Sequence, residues 1–372
     1  MCLVVKYSLN ISILSRIVIL YNQKWISAMN LDVLVSIIIP ARNNDYFLRN
    51  CIEKIRLLYP DVKIVLILDK IFPEDYEFFD KNVYILKSEK YTMSAKRNQG
   101  VDFVDTKYVA LIDSDAYPDK NWLESSVDFL ENHKDYSAVT GCQMNYPDDS
   151  FSQKCLRLLR FSPLFSHQEW FKIIDFNTKE TDCSEFMTSN VIIARETYQK
   201  LNGMSENFYL AEDNEFSQRM FKNGYKIRFV PNIRVFHREA KISAFLRKYF
   251  TVANYYAKCF VKGIKIKNGK QTLQQFIPFI AVCFYLLLLI LQILVIKSQI
   301  LTNILVGLPI VALLLLIYNA IIITKNFGKQ RLLGILYLFF VSIAFSVIWV
   351  SGTFMGFCFQ NFYDVKNGYK HY

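Results

Sequence analysis

The sequence predicts an α/β domain on a mostly parallel central sheet, with helices on both faces, followed by three membrane-spanning helices. Three observations predict it. Short apolar, β-branched runs alternate with helical periodicities from about residue 34 to residue 240, the pattern of strands buried on both faces between crossover helices. The stretches 271–296, 298–324 and 332–363 carry no charged residue, and each exceeds the roughly 20 residues that cross a bilayer. Charge divides the same way: residues 32–237 hold 26 basic and 31 acidic side chains, whereas 238–270 hold 9 basic residues against Glu239 alone.

Taken in order, 35–39 is a continuous apolar run closed by Pro40, a buried strand. A helix over 46–58 follows, with Phe47, Ile52, Ile55 and Leu58 on one face, then strands over 62–68 and 83–86. Ser94 caps a helix running to Val104. A strand over 108–112 ends in Asp113-Ser114-Asp115, and a helix over 121–132 and a strand over 137–144 complete the rhythm. Residues 147–182 break it. Beyond them come a strand over 186–194, a helix over 195–201 closed by Gly203, a helix over 214–223 closed by Gly224, and two last strands, 226–230 and 234–236, around Pro231.

The chain thus divides into an unassigned segment 1–31, an α/β domain 32–240, a basic and aromatic juxtamembrane segment 241–275, a three-helix region 276–359 and a tail 360–372. The spans fall near 276–296, 300–323 and 332–359. In the first segment, residues 9–20 are apolar behind Lys6, as in a signal peptide, but lack a small-residue cleavage site, and Met29 is an alternative start. Gly352 and Gly356 stand at GxxxG spacing, a weak helix-packing signal. The basic stretch before the first span and Lys325, Lys329 and Arg331 between the second and third place the α/β domain in the cytoplasm of a multi-pass cell-membrane protein. Residues 238–270, basic with interleaved aromatics, read as a surface against anionic headgroups rather than a merely solvated helix face. The mildly acidic domain argues against nucleic acid as a partner. The eight cysteines show no metal-ligand spacing and read as reduced and structural.

Ligands of such sheets sit at the carboxyl ends of the strands, where Pro40, Asp69 and Asp113–Asp115 fall. Two carboxylates one residue apart suit a hard divalent cation, Mg²⁺ or Mn²⁺, completed by substrate phosphates; an Asx-turn or helix cap is the competing reading. Glu212-Asp213, in a loop before a helix, offers either general-base chemistry or a helix cap. Arg42 lies at the mouth of the first strand. Lys96 and Arg97, in a first helical turn where the dipole disfavours them, suggest phosphate contact. His237 after the final strand is a further metal or phosphate contact, or a structural histidine.

In order, VSIIIPARNN (35–44), SAKRNQG (94–100), YVALIDSDAYPDKNWL (108–123), TSNVIIARETYQKLNGMSENF (188–208) and AEDNEFSQRMFKNGY (211–225) resemble the family 2 glycosyltransferases of GT-A fold. The resemblance covers about residues 34–240. It implies an inverting transferase using a nucleotide-diphosphate sugar and a divalent cation (Mg or Mn), with Asp115 as metal ligand, Asp113 at the ribose or metal, and His237 as a further contact. It makes Asp213 the catalytic base with Glu212 beside it. Pro40, Arg42 and Asp69 would line the nucleotide, and Arg97 would approach the phosphates. Two departures stand out. The second strand ends Leu68-Asp69-Lys70-Ile71 rather than in an Asp-Asp-Gly-Ser-like run, and the QxxRW motif of processive synthases is absent, which favours addition of a single sugar. The membrane tail points to a lipid-linked or cell-envelope glycan acceptor. The alternatives are loading of a polyprenyl phosphate carrier and a transporter with a nucleotide-sensing domain; the charge-free spans argue against the latter.

Overall fold

The computed structural model describes residues 30–160, 162, 164, 179–264 and 269–359. The expectations for the N-terminal segment before residue 30, for the middle of the 147–182 stretch and for the tail 360–372 lie outside the described residues.

The apolar runs become strands. β1 (Val35–Pro40), β2 (Ile64–Leu68) and β4 (Tyr108–Leu111) are buried at every position, which is why they read as continuous rather than alternating runs. Each fully buried Ile, Val or Leu contributes roughly 1.5–3 kcal/mol of transfer free energy, so these strands form the most strongly specified part of the domain. β3 (Val83–Lys87), β5 (Ala116–Pro118), β6 (Tyr136–Met144), β7 (Thr181–Cys183), β8 (Val191–Ala194) and β9 (Lys226–His237) complete one sheet in the order β3-β2-β1-β4-β8-β6-β9-β5, with β7 on β9. β3, β2, β1 and β4 are parallel, as are β6 and β9; β8, β5 and β7 pair antiparallel.

The helices α1 (Tyr46–Leu58), α2 (Met93–Phe103), α3 (Trp122–Asn132), α4 (Phe151–Arg160) and α5 (Glu212–Lys222) follow. Two apolar clusters form, one on each face of the sheet. The first gathers Leu48, Ile55, Trp122 and Val127 of α1 and α3, the second Val101, Phe216 and Met220 of α2 and α5.

Four local expectations need correction. The cap of α2 is Thr92, whose side chain accepts from Ala95 N at 3.2 Å, and Ser94 lies inside the helix. The strand expected from Phe186 begins only at Val191: Phe186 and Met187 are buried in loop conformation, and the chain turns at Thr188–Asn190, where Asn190 Nδ2 donates to the carbonyls of Cys142 and Ile233. The two final strands are one, because β6 shifts register at Gly141 and absorbs the irregularity at Pro231. A Cβ at Gly141 would lie 2.5 Å from the Val230 carbonyl, so only glycine lets β9 approach there. Glu212 and Asp213 form the first turn of α5 rather than a loop, with Ala211 in the left-handed region (φ 63°) turning the chain into the helix.

Three spans follow: 272–295, 299–323 and 328–358; the first is α7 (Gly269–Leu291) continued by a π-helical turn over Gln292–Ile296, the second is α8 (Gln299–Ile323), and the third is α9 (Arg331–Cys358) preceded by a 3-10 turn over Gly328–Gln330. They are preceded by α6 (Ile242–Val261), which lies along α9. The GxxxG pair explains that contact. A Cβ on Gly352 would stand 2.5 Å from the Phe250 carbonyl, and one on Gly356 would meet the Asn254 carbonyl. The two backbones touch because both positions are glycine. Phe245 and Tyr249 of α6 meet Phe345 and Trp349 of α9 in tilted and edge-on ring contacts across the same interface, and Leu156 and Leu159 of α4 belong to the same cluster, so the α/β domain and the bundle join through a packed seam.

Candidate active site

The strand ends and the first turns of α2 and α5 converge on one cleft of about 730 Å³, within the range of small-ligand sites. Of the residues singled out in the sequence, Pro40, Arg42, Arg97, Asp113, Asp115 and His237 line it, together with Glu212 and Asp213. Asp69 does not line it. Its carboxylate pairs with the buried Lys96, whose Nζ lies 2.7 Å from Asp69 Oδ1 and also donates to the Ala41 carbonyl at 2.7 Å. Lys96 therefore braces the ends of β1 and β2, and the phosphate contact expected of it is replaced by this internal pair.

Arg97 does face the cleft. Nη2 donates to Asp113 Oδ1 at 2.9 Å and Nη1 to Glu212 Oε1 at 2.8 Å. Burial opposes its charge, but the two carboxylates outweigh burial and raise its pKa. One side chain thereby ties the Asp-Ser-Asp loop to the helix that carries Asp213.

The short strand β5 explains how His237 arrives. Immediately after Asp115, Ala116 pairs with His237 across the β5–β9 ladder, and Arg238 N donates to the Asp115 carbonyl at 3.1 Å. His237 Nε2 lies 3.5 Å from Asp115 Oδ1 and 3.9 Å from Asp113 Oδ2. One ligand atom from each of the three residues falls within 4.8 Å of the others. His237 Nδ1 sits 2.9 Å from the Arg238 carbonyl; a carbonyl only accepts, so Nδ1 bears a proton and Nε2 is the ring atom that faces the carboxylates. Three electron-pair donors facing one point fit a cation there, and oxygen with imidazole donors suits Mn²⁺ or Mg²⁺. Behind them, Arg157 Nη2 donates to the His237 carbonyl at 2.5 Å.

Asp213 is the electrostatic outlier. Burial first, then the Glu212 charge, and more weakly the nearby Glu185, push its pKa up to about 7; the Asn214 amide, donating to Oδ1 at 2.8 Å, and Arg97 pull the other way. A carboxylate near neutrality is matched to proton transfer at physiological pH. Tyr256 of α6 also lines the cleft, its pKa raised by burial and by the Asp213 charge.

The sequence reading missed the membrane-side wall. Arg160, Lys248, Tyr249, Gln275 and Trp349 line it. The only signal was the basic and aromatic composition of 238–270. Arg160 lies in the stretch whose rhythm could not be read.

This architecture is a mostly parallel central sheet flanked by helices, joined to a three-helix membrane-spanning bundle. Residues 36–201 match the family model for glycosyl transferase family 2, and residues 170–241 that for the N-terminal domain of galactosyltransferase. The chain has the family 2 glycosyltransferase fold of GT-A type, with C-terminal membrane-spanning helices. It is 22% identical over 266 residues to a dolichyl N-acetyl-α-D-glucosaminyl phosphate 3-β-D-2,3-diacetamido-2,3-dideoxy-β-D-glucuronosyltransferase of Methanococcus voltae, covering 66% of this chain and 78% of that one. Glycosyltransferase GlyA of Streptococcus pneumoniae serotype 4 is 25% identical over 104 residues, 26% of this chain but only 15% of that protein's length. Among solved structures, the mannosyltransferase PcManGT of Pyrobaculum calidifontis, in complex with GDP-Man and Mn²⁺, superposes with a TM-score of 0.51 at 15% identity, over 88% of this chain and 93% of that one.

Proposed function

We propose that this protein is a membrane-anchored inverting glycosyltransferase that moves one sugar from a nucleotide-diphosphate donor to a lipid-linked or cell-envelope glycan acceptor. The observation that carries this reading is the single cleft holding Asp213 at one point and the Asp113, Asp115 and His237 cluster at another, and running on to the membrane-spanning helices.

Asp213 takes the proton of an acceptor hydroxyl, whose oxygen bonds to the anomeric carbon as the bond from that carbon to the diphosphate oxygen breaks. One displacement inverts the anomeric centre, and the nucleoside diphosphate leaves. Asp113, Asp115 and His237 hold a divalent cation, which when bound supplies charge neutralisation for the leaving diphosphate. Glu212 raises the basicity of Asp213 by its negative charge, and Arg97 fixes Glu212 in place. Pro40 and Arg42 line the donor end of the cleft.

The acceptor reading is supported by Gln275 and Trp349, cleft residues carried on α7 and α9, and by the dolichyl phosphate acceptor in the printed name of the Methanococcus voltae relative. Lys325 and Lys329 between α8 and α9, with Arg331 at the start of α9, support a cytoplasmic domain. The test is transfer from a panel of nucleotide sugars by the full-length protein in detergent, with Mn²⁺ and with EDTA. Cation-dependent release of nucleoside diphosphate supports the reading; no release from any donor rejects it.

A further inference from the structure

The chain reaches Asp213 through a turn that its own residue disfavours. Ala211 lies in the left-handed region (φ 63°) immediately before Glu212 and Asp213, where a Cβ meets steric resistance. Among the described residues of the α/β domain, the other non-glycine residues with positive φ are Asn121 and Asn202, a residue type that tolerates this region. An alanine stays there only where its surroundings hold it.

Those surroundings come from α6. The Tyr255 hydroxyl accepts from Tyr209 N at 3.3 Å, and Tyr255, with Cys259 one turn on, packs against Phe208, Tyr209, Leu210 and Ala211. On the other side of Asp213, Asn214 Nδ2 donates to the Tyr256 hydroxyl at 3.5 Å, while Asn214 N donates to Asp213 Oδ1. Two consecutive residues of α6 thus hold the chain before and after Asp213. The same turn of α6 is backed by α9: a Cβ on Gly356 would meet the Asn254 carbonyl and stand 2.8 Å from the Ala257 Cβ. Tyr209, Leu210, Ala211 and Tyr256 line the cleft, but Tyr255 does not, and it is only 9% exposed. Its hydroxyl therefore acts on transfer through the 209–213 backbone rather than by touching a substrate.

We propose that Tyr255 is a positioning residue for the transfer step: its hydroxyl, carried on α6 and backed by α9, pins the Tyr209 amide and so holds the left-handed Ala211 turn that sets Asp213 in the cleft. This rests on the reading of Asp213 as the base given above.

The test compares wild type with Tyr255→Phe, which keeps the ring and removes only the hydroxyl, as full-length proteins in detergent. Amide hydrogen exchange reads the turn without turnover. The amides of 209–213 should exchange about tenfold faster in Tyr255→Phe, with those of β1, β2 and β4 unchanged. In the transfer assay kcat should fall about tenfold, since slight misplacement of a reacting group costs up to about 10²-fold, while donor KM and nucleoside diphosphate affinity stay near wild type. Adding Ala211→Gly, which removes the steric resistance to the turn, should restore part of the lost rate. Unchanged exchange over 209–213 overturns the proposal, and so does wild-type kcat in Tyr255→Phe. A raised donor KM with kcat intact overturns it in favour of a donor contact, and no recovery on adding Ala211→Gly shows that the hydroxyl does not act through this turn. Faster exchange over 209–213 in a protein that transfers no sugar from any donor rejects the glycosyl-transfer reading alone and leaves Tyr255 as the anchor of the turn.

Discussion

Arg97 Nη1 donates to Glu212 Oε1 at 2.8 Å, and this bond is where the strand-end half of the cleft meets the helix that carries Asp213. The same guanidinium holds Asp113. Arg97→Met leaves both carboxylates in a low-dielectric site without their shared cation. Breaking a buried pair from one side costs about 3–5 kcal/mol, so the variant should melt at lower temperature and lose activity. Thermal denaturation in detergent beside the transfer assay checks both; wild-type melting would show that the bridge is incidental.

Asp213 titrates near 7, and the sign follows from its role. A base must be ionised. The transfer rate should therefore rise about tenfold per pH unit below 7 and level off above it. Asp213→Asn should lower kcat by about 10²–10⁴ while donor affinity stays within a few-fold. A pH profile of kcat/KM, read beside isothermal titration with nucleoside diphosphate, checks both.

His237 and Asp115 meet because β5 pairs with β9. His237→Ala and Asp115→Asn should each raise the Mn²⁺ concentration needed for half-maximal activity, and EDTA should abolish transfer reversibly. Arg157→Met removes the donor to the His237 carbonyl, and loss of such support weakens metal sites about 10–100-fold. Mn²⁺ binding followed by electron paramagnetic resonance reads each effect without turnover.

Gly352 lets α9 touch α6. Gly352→Leu forces the backbones apart, and overpacking of this kind costs about 1–3 kcal/mol. It should loosen the seam between α6 and the bundle, seen as a lower melting temperature of the purified protein in detergent. Gly307→Leu, at a position with nothing within 4 Å of an added Cβ, should behave as wild type.

What was legible in the sequence followed from local physics. β1, β2 and β4 announce themselves because burial on both faces permits only apolar residues, and the spans because lipid does the same over a longer run. Asp113 and Asp115 were legible as a pair at a strand end. Asp69 and Lys96 were not legible as partners, since nothing local encodes an ion pair between β2 and α2. The first turn of α5 was hidden because a helix that begins on Glu212 and Asp213 satisfies the dipole as readily as a loop capped by them. Arg160, Tyr249 and Trp349 share a wall only through the packing of α4, α6 and α9, which no periodicity reveals.

The central claim is a single displacement driven from Asp213 across the cleft from the acidic cluster. The most direct measurement is time-resolved proton NMR of the anomeric signal during transfer from an α-linked nucleotide sugar with Mn²⁺. The account predicts a β-linked first product from the wild type and no product signal above background from Asp213→Asn. An α-linked first product, or unaltered turnover in Asp213→Asn, would contradict it.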